Sequence, residues 1–171
     1  MNSNNRRELI YVSLLNSQRP LKGTDLAKEY GVTRQVIVKD IAILRAEGKG
    51  IIATPEGYIV NKGLDNYIKK IIAVSHTREE LYDELKTIIN YGGKIEDVIV
   101  EHPLYGEIRC NLMLKTMADL EEFMLSFKRY NAEPLSSLTG GMHLHTIAAE
   151  TNEVLESIER ELINKGYILE D

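Results

Sequence analysis

The 171-residue sequence predicts an α+β chain in two modules: three helices closed by a short hairpin, then a domain with helices packed on a sheet. Three observations predict it. Helical stripes joined by a very tight turn at Gly31 fill the first third, two short apolar runs flank Thr54-Pro55-Glu56-Gly57, and strand and helix patterns alternate beyond residue 63. Charge divides the chain at the same place: residues 1–62 hold ten Lys/Arg against six Asp/Glu, and residues 63–171 eleven against twenty. The modules are therefore drawn at 1–62 and 63–171, with Asn61-Lys62-Gly63 as a short polar joint. A net +4 on the first attracts a polyanion, while the net −9 of the second faces something else.

Residues 6–16 place Ile10, Tyr11, Leu14 and Leu15 on one helical stripe. After Gln18-Arg19-Pro20, Thr24 is the expected cap of a short helix carrying Leu26, Ala27 and Tyr30, with Gly31 just past its end. Thr33 is the next cap, and the helix from there to about residue 47 turns Val36, Ile37, Ile41 and Leu44 inward. Arg34, Gln35, Val38, Lys39 and Arg45 are left outward. Gln and Arg near the start of such a helix reach base edges in the major groove, Gln reading adenine and Arg guanine, so Thr24, Thr33, Arg34, Gln35, Lys39 and Arg45 are the candidate DNA-contacting residues. Ile51-Ile52-Ala53 and Tyr58-Ile59-Val60 around the Pro-containing turn complete a winged helix-turn-helix.

In the second module the apolar run 68–74 precedes a helix over 78–91, strands at 98–101 and 108–114, a helix over 117–130, a strand at 141–148 and a helix over 151–165. Tyr167-Ile168-Leu169 makes a short closing edge. No apolar stretch approaches the roughly 18 residues of a membrane span, and residues 1–8 carry no export signal. The single Cys110 excludes an intrachain disulfide and a four-Cys metal site, which fits a reducing cytoplasm.

All four histidines lie in this module. His143 and His145, two apart on a strand, project from one face toward a common cation. His76 precedes Thr77-Arg78-Glu79-Glu80, a capping box, and the helix beyond it stacks Glu80 and Glu84 one turn apart above the stripe of Leu81, Leu85 and Ile88. Either carboxylate completes an imidazole-rich site, and periodicity does not choose between them. His102-Pro103-Leu104-Tyr105-Gly106 forms a turn between strands, its imidazole being a ligand-contacting group or simply a turn residue. His143, His145 and Glu150 echo a cupin motif, but Glu150 has the wrong strand parity and no later His completes the set.

Thr24 to Gly48 resembles the helix-turn-helix of biotin-repressor and DeoR-like regulators. Gly140-Gly141-Met142-His143-Leu144-His145-Thr146, His76-Thr77-Arg78-Glu79-Glu80-Leu81 and His102-Pro103-Leu104-Tyr105-Gly106 together resemble the 3H domain. A winged helix followed by a 3H domain is similar to the niacin-responsive repressors of NAD biosynthesis and niacin uptake genes. The resemblance implies a divalent metal held by His76, Glu84, His143 and His145, thereby choosing Glu84 over Glu80. It further implies nicotinic acid as co-repressor and DNA binding as the output. Three imidazoles and one carboxylate suit Zn²⁺, Ni²⁺, Co²⁺ or Fe²⁺, and an open coordination position would accept the nicotinate carboxylate or ring nitrogen, with His102 and Tyr105 as neighbours. A homodimer through the second module on a palindromic, double-stranded operator is expected, because one winged helix makes a small interface. Two rivals stand beside this: a purely structural metal with a different effector, and a metal-dependent hydrolase, which the absence of a His-Glu-x-x-His motif disfavours.

Overall fold

The structure, a computed structural model, describes residues 2–62 and 66–169. The chain divides into two compact units, Met1–Asp65 and Asn66–Asp171. Gly63 of the expected joint lies outside the described residues. Among the described residues no helix is long and apolar enough to cross a membrane.

The first unit runs α1 (Ser3–Asn16), α2 (Gly23–Glu29), α3 (Arg34–Ala46), β1 (Ile51–Thr54) and β2 (Gly57–Val60), the two strands pairing antiparallel across Pro55-Glu56. Ile10, Leu14, Leu26, Ile37, Ile41 and Leu44 close its core from the three helices. Gly31, at φ 63°, ends α2 in a Schellman turn in which Val32 N–H donates to Ala27 O at 2.9 Å and Gly31 N–H to Lys28 O at 3.3 Å. Thr33 then caps α3, its hydroxyl accepting from Val36 N–H at 3.4 Å. Thr24 does not cap α2: paired backbone hydrogen bonds between Leu21 and Tyr58 fix the chain so that the helix opens at Gly23 and Thr24 falls inside its first turn. Leu15 is exposed and Val36 only half-buried, and a place in the core goes to Asp40 instead. That carboxylate is held by Arg6 of α1, Nε to Oδ2 at 2.6 Å, so a charged pair ties α1 to α3.

The second unit runs β3 (Ile68–Ser75), α4 (Leu81–Asn90), β4 (Lys94–His102), β5 (Gly106–Leu114), α5 (Met117–Arg129), a short 3-10 helix (Leu135–Thr139), β6 (Met142–Ala149) and α6 (Asn152–Asn164). The strands form one antiparallel sheet in the order β3-β6-β4-β5. Leu81, Leu85 and Ile88 of α4, Leu120 of α5, and Leu155, Ile158 and Leu162 of α6 bury against Ile72, Val74, Ile95, Leu114 and Ile147 on one face of it. Strand alternation sends Ile71, Ala73, Leu144 and Thr146 to the opposite face. Ile168 bridges to Val74, so residues 167–169 do line the β3 edge. The 3-10 helix has no counterpart among the sequence expectations, and α4 starts three residues late because Glu80 is engaged in a turn: its carboxylate accepts from Thr77 N–H at 2.8 Å and Thr77 O–H at 3.0 Å.

Candidate metal centre

β3 and β6 lie side by side with Ile72 opposite His145 and Val74 opposite His143, so both imidazoles emerge on the helix-covered face. His76 follows β3 directly, and Glu84 projects toward the same point from the first turn of α4. The four side chains meet. Glu84 Oε2 lies 2.9 Å from His76 Nε2 and 4.0 Å from His143 Nε2, and Oε1 lies 3.4 Å from His145 Nε2. The ligand atoms of His76, Glu84 and His143 are within 4.8 Å of one another. Glu80, one turn earlier, is spent on Thr77.

The backbone chooses which nitrogen each ring presents. His76 Nδ1 faces Thr77 O at 2.7 Å, His143 Nδ1 faces Gly141 O at 2.8 Å, and His145 Nδ1 faces Asp97 O at 2.5 Å. A carbonyl only accepts, so each Nδ1 carries a hydrogen and each Nε2 is aimed at Glu84. This is the outer arrangement that orients imidazoles around an ion. Glu84 Oε1 and His145 Nε2 are buried without a hydrogen-bond partner, because their 3.4 Å approach lacks the alignment of one. A cation bound between the donors satisfies both atoms, and three imidazole nitrogens with one carboxylate suit a divalent transition metal.

Electrostatics agree. Burial pushes the Glu84 carboxyl up, but the nearby charge of His145, with the hydrogen bond and charge of His76, prevails and holds it well below the usual carboxylate range. Burial lowers His76 and His145, and Glu84 outweighs it, so both are raised. His143 is lowered to about 4, by burial first and by His145 second, which leaves its lone pair free at neutral pH. The raised His76 and His145 favour a proton on imidazole beside the buried carboxylate, and a cation held there would supply that counter-charge instead.

An apolar cavity of about 220 Å³ reaches His143 and His145 between Leu85, Leu112, Phe123 and Phe127. His102 and Tyr105 do not line it. They sit in the β4–β5 turn, where His102 Nδ1 accepts from Leu104 N–H at 3.1 Å and Tyr105 N–H at 3.4 Å, and the Tyr105 side chain is exposed. The imidazole is thus occupied in holding its own turn. On α3, Arg34, Gln35, Lys39 and Arg45 are all exposed, as is Thr24 on α2. Thr77, Gly141 and Asp97, whose carbonyls orient the rings, were not singled out as site residues from the sequence. Gly141 had a visible signal, a Gly-Gly pair just before His-x-His, and Thr77 heads the capping box after His76, whereas Asp97 had none.

The helix-turn-helix domain matches residues 6–59, and the 3H domain matches residues 69–171. A relative from Thermotoga maritima named "Probable transcription repressor NiaR" is 44% identical over 158 residues, covering 92% of this chain and 90% of its own. A second, "Transcription repressor NadR" of Bacillus subtilis, is 35% identical over 170 residues, covering 98% and 94%. With both domains matched in order and both relatives aligned along nearly their whole length, the chain belongs to the niacin-responsive transcription-repressor family, built from an N-terminal helix-turn-helix domain and a 3H domain.

Proposed function

We propose that the chain is a metal-containing repressor that binds operator DNA as a homodimer, with nicotinic acid as co-repressor. The observation that carries this is the convergence of His76, Glu84, His143 and His145, of which His143 and His145 also line an apolar cavity of about 220 Å³, a space suited to one small aromatic ring. Residues 1–62 bind DNA and residues 63–171 hold metal, effector and partner copy. A metal bound by the four side chains supplies a Lewis-acidic point for an anionic or nitrogen ligand. Phe123 and Phe127 flank the ring, and we place the effector in this cavity rather than at the His102–Tyr105 turn. The open sheet face, with Ile71 and Met142 more than half exposed, supports association with a second copy. Arg34, Gln35, Lys39 and Arg45 then address each half-site, Gln35 and Arg34 nearest the helix start.

Nicotinic acid favours repression only by binding the DNA-competent state better than the other, a coupling of about 5- to 150-fold in affinity for typical allosteric pairs. A mobility shift on promoter fragments with nicotinic acid, nicotinamide or NAD tests this. Tightening with nicotinic acid, abolished in His143→Ala, supports the reading; equal retardation under all conditions overturns it. Burial of all four donors favours a second reading, a purely structural metal, which predicts metal-dependent stability and no effector response.

A further inference from the structure

We propose that Asp97 is the positioning residue that aims His145 at the metal, with Arg109 holding Asp97 in place. The inference rests on the metal-centre reading and goes beyond it. His76 and His143 are oriented by carbonyls one and two residues away, whereas His145 takes its orientation from a carbonyl 48 residues distant in sequence. Two ligand rings are therefore set locally, and the third is set by how β4 lies against β6.

That strand pair is irregular at this point. Ile95 pairs with Ile147 and Ile99 with Leu144, so β4 carries one more residue than β6 between the two registers, a bulge that includes Asp97. A bulge frees backbone groups from the ladder, and here Asp97 O is turned to accept the His145 Nδ1 hydrogen at 2.5 Å. The carboxylate of the same residue takes up the ladder's lost acceptor role: Oδ1 accepts from Thr146 N–H, adjacent to the ligand, at 2.9 Å. Asp97 thus grips His145 by its ring and by the next peptide. Aspartate is a poor strand former and this one is buried, so its place calls for a reason. Arg109 on β5 provides the counter-charge, Nη1 to Asp97 Oδ2 at 2.7 Å, and is itself held by Glu107 at 3.2 Å. Arg109 Nη1 also reaches Thr146 Oγ1 at 3.5 Å, closing the network from the open sheet face.

The test is titration of the metal-free full chain with Co²⁺ alone, read both as affinity by chelator competition and as the visible absorption spectrum of the bound ion. Asp97→Ala keeps the carbonyl that faces His145 but removes the carboxylate contacts to Thr146 N–H and Arg109 that hold it in place, and is expected to weaken Co²⁺ binding several-fold, short of the roughly 10- to 100-fold typical of losing an outer partner outright, and to change the spectrum. Asp97→Asn keeps an acceptor for Thr146 N–H and is expected to recover most of the affinity. Should Asp97→Ala not fold, Arg109→Gln on the half-exposed partner is expected to shift affinity several-fold with an altered spectrum. Wild-type affinity and spectrum in the folded variants, even with a lowered melting temperature, overturn the positioning role alone. A wild-type chain that binds no Co²⁺ overturns the metal reading and this proposal with it.

Discussion

Each of the three clustered imidazoles spends one nitrogen on a peptide carbonyl, and the supply of those carbonyls depends on residues with no chemistry of their own. Gly141 is the sharpest case. It sits at φ 101°, and a Cβ there would lie 2.7 Å from His76 O, so any side chain forces apart the two segments that bring His76 and His143 together. Gly141→Ala should cost about 1–3 kcal/mol of stability from backbone strain, and should weaken metal binding as well; thermal unfolding with and without Zn²⁺ separates the two effects. Glu84→Gln preserves the side-chain volume but removes the charge, and should weaken metal binding by more than the roughly 10–100-fold typical of a lost outer partner, measured by competition with a chromogenic chelator. The clustering of His76, His143 and His145 was legible because residue type and spacing make them candidate ligands. Glu84 was not separable from Glu80 by periodicity, since one turn apart both sit on the same helix face; what distinguishes them is that Thr77 consumes Glu80 in the turn before α4. Asp97 stayed hidden because its carbonyl, not its side chain, faces the ring, and a carbonyl leaves no mark in a sequence.

Among the elements, the tight passage from α2 to α3 was the most readable, because Gly31 and Thr33 each have a stereochemical reason to stand where they do. Thr33→Ala should cost about 1 kcal/mol through the lost cap, visible as a lower denaturation midpoint of the first unit, with weaker DNA binding following from a frayed α3 start. In α4, Leu85 is fully buried between the sheet and the cavity, and Leu85→Ala should destabilise by about 2–5 kcal/mol, measured by urea denaturation of the second unit. Thr24 looks like a cap in the sequence and is not one, because the bridge from Leu21 to Tyr58 is a long-range contact that local capping signals do not register. The 3-10 helix was missed for a related reason: five residues after a proline give no helical period to detect.

At the scale of the molecule, the two units have separate cores, and on the metal-centre proposal removal of the ion should act on one of them. If ligand at about a hundred times its dissociation constant stabilises the native state by about 2.7 kcal/mol, chelation should lower the melting temperature of the second unit by roughly 10–20 °C and leave the first unchanged, a split that calorimetry resolves. The opposed charges of the two modules were plain from the sequence, while the sheet order β3-β6-β4-β5 was not, because pairing of the last strand between the first and second depends on contacts far apart in the chain.

That strand order has one more consequence. His76 and Glu84 arrive early in the chain and the two β6 imidazoles much later, with a hairpin and a helix in between, so no short peptide contains the full donor set. An ion held by these four side chains would not nucleate the fold in the manner of a zinc finger; it would fasten a sheet already closed. Release should be correspondingly abrupt: when β6 parts from β3, half the donors leave together and the cation goes with them, so metal retention becomes a direct gauge of whether the sheet is intact.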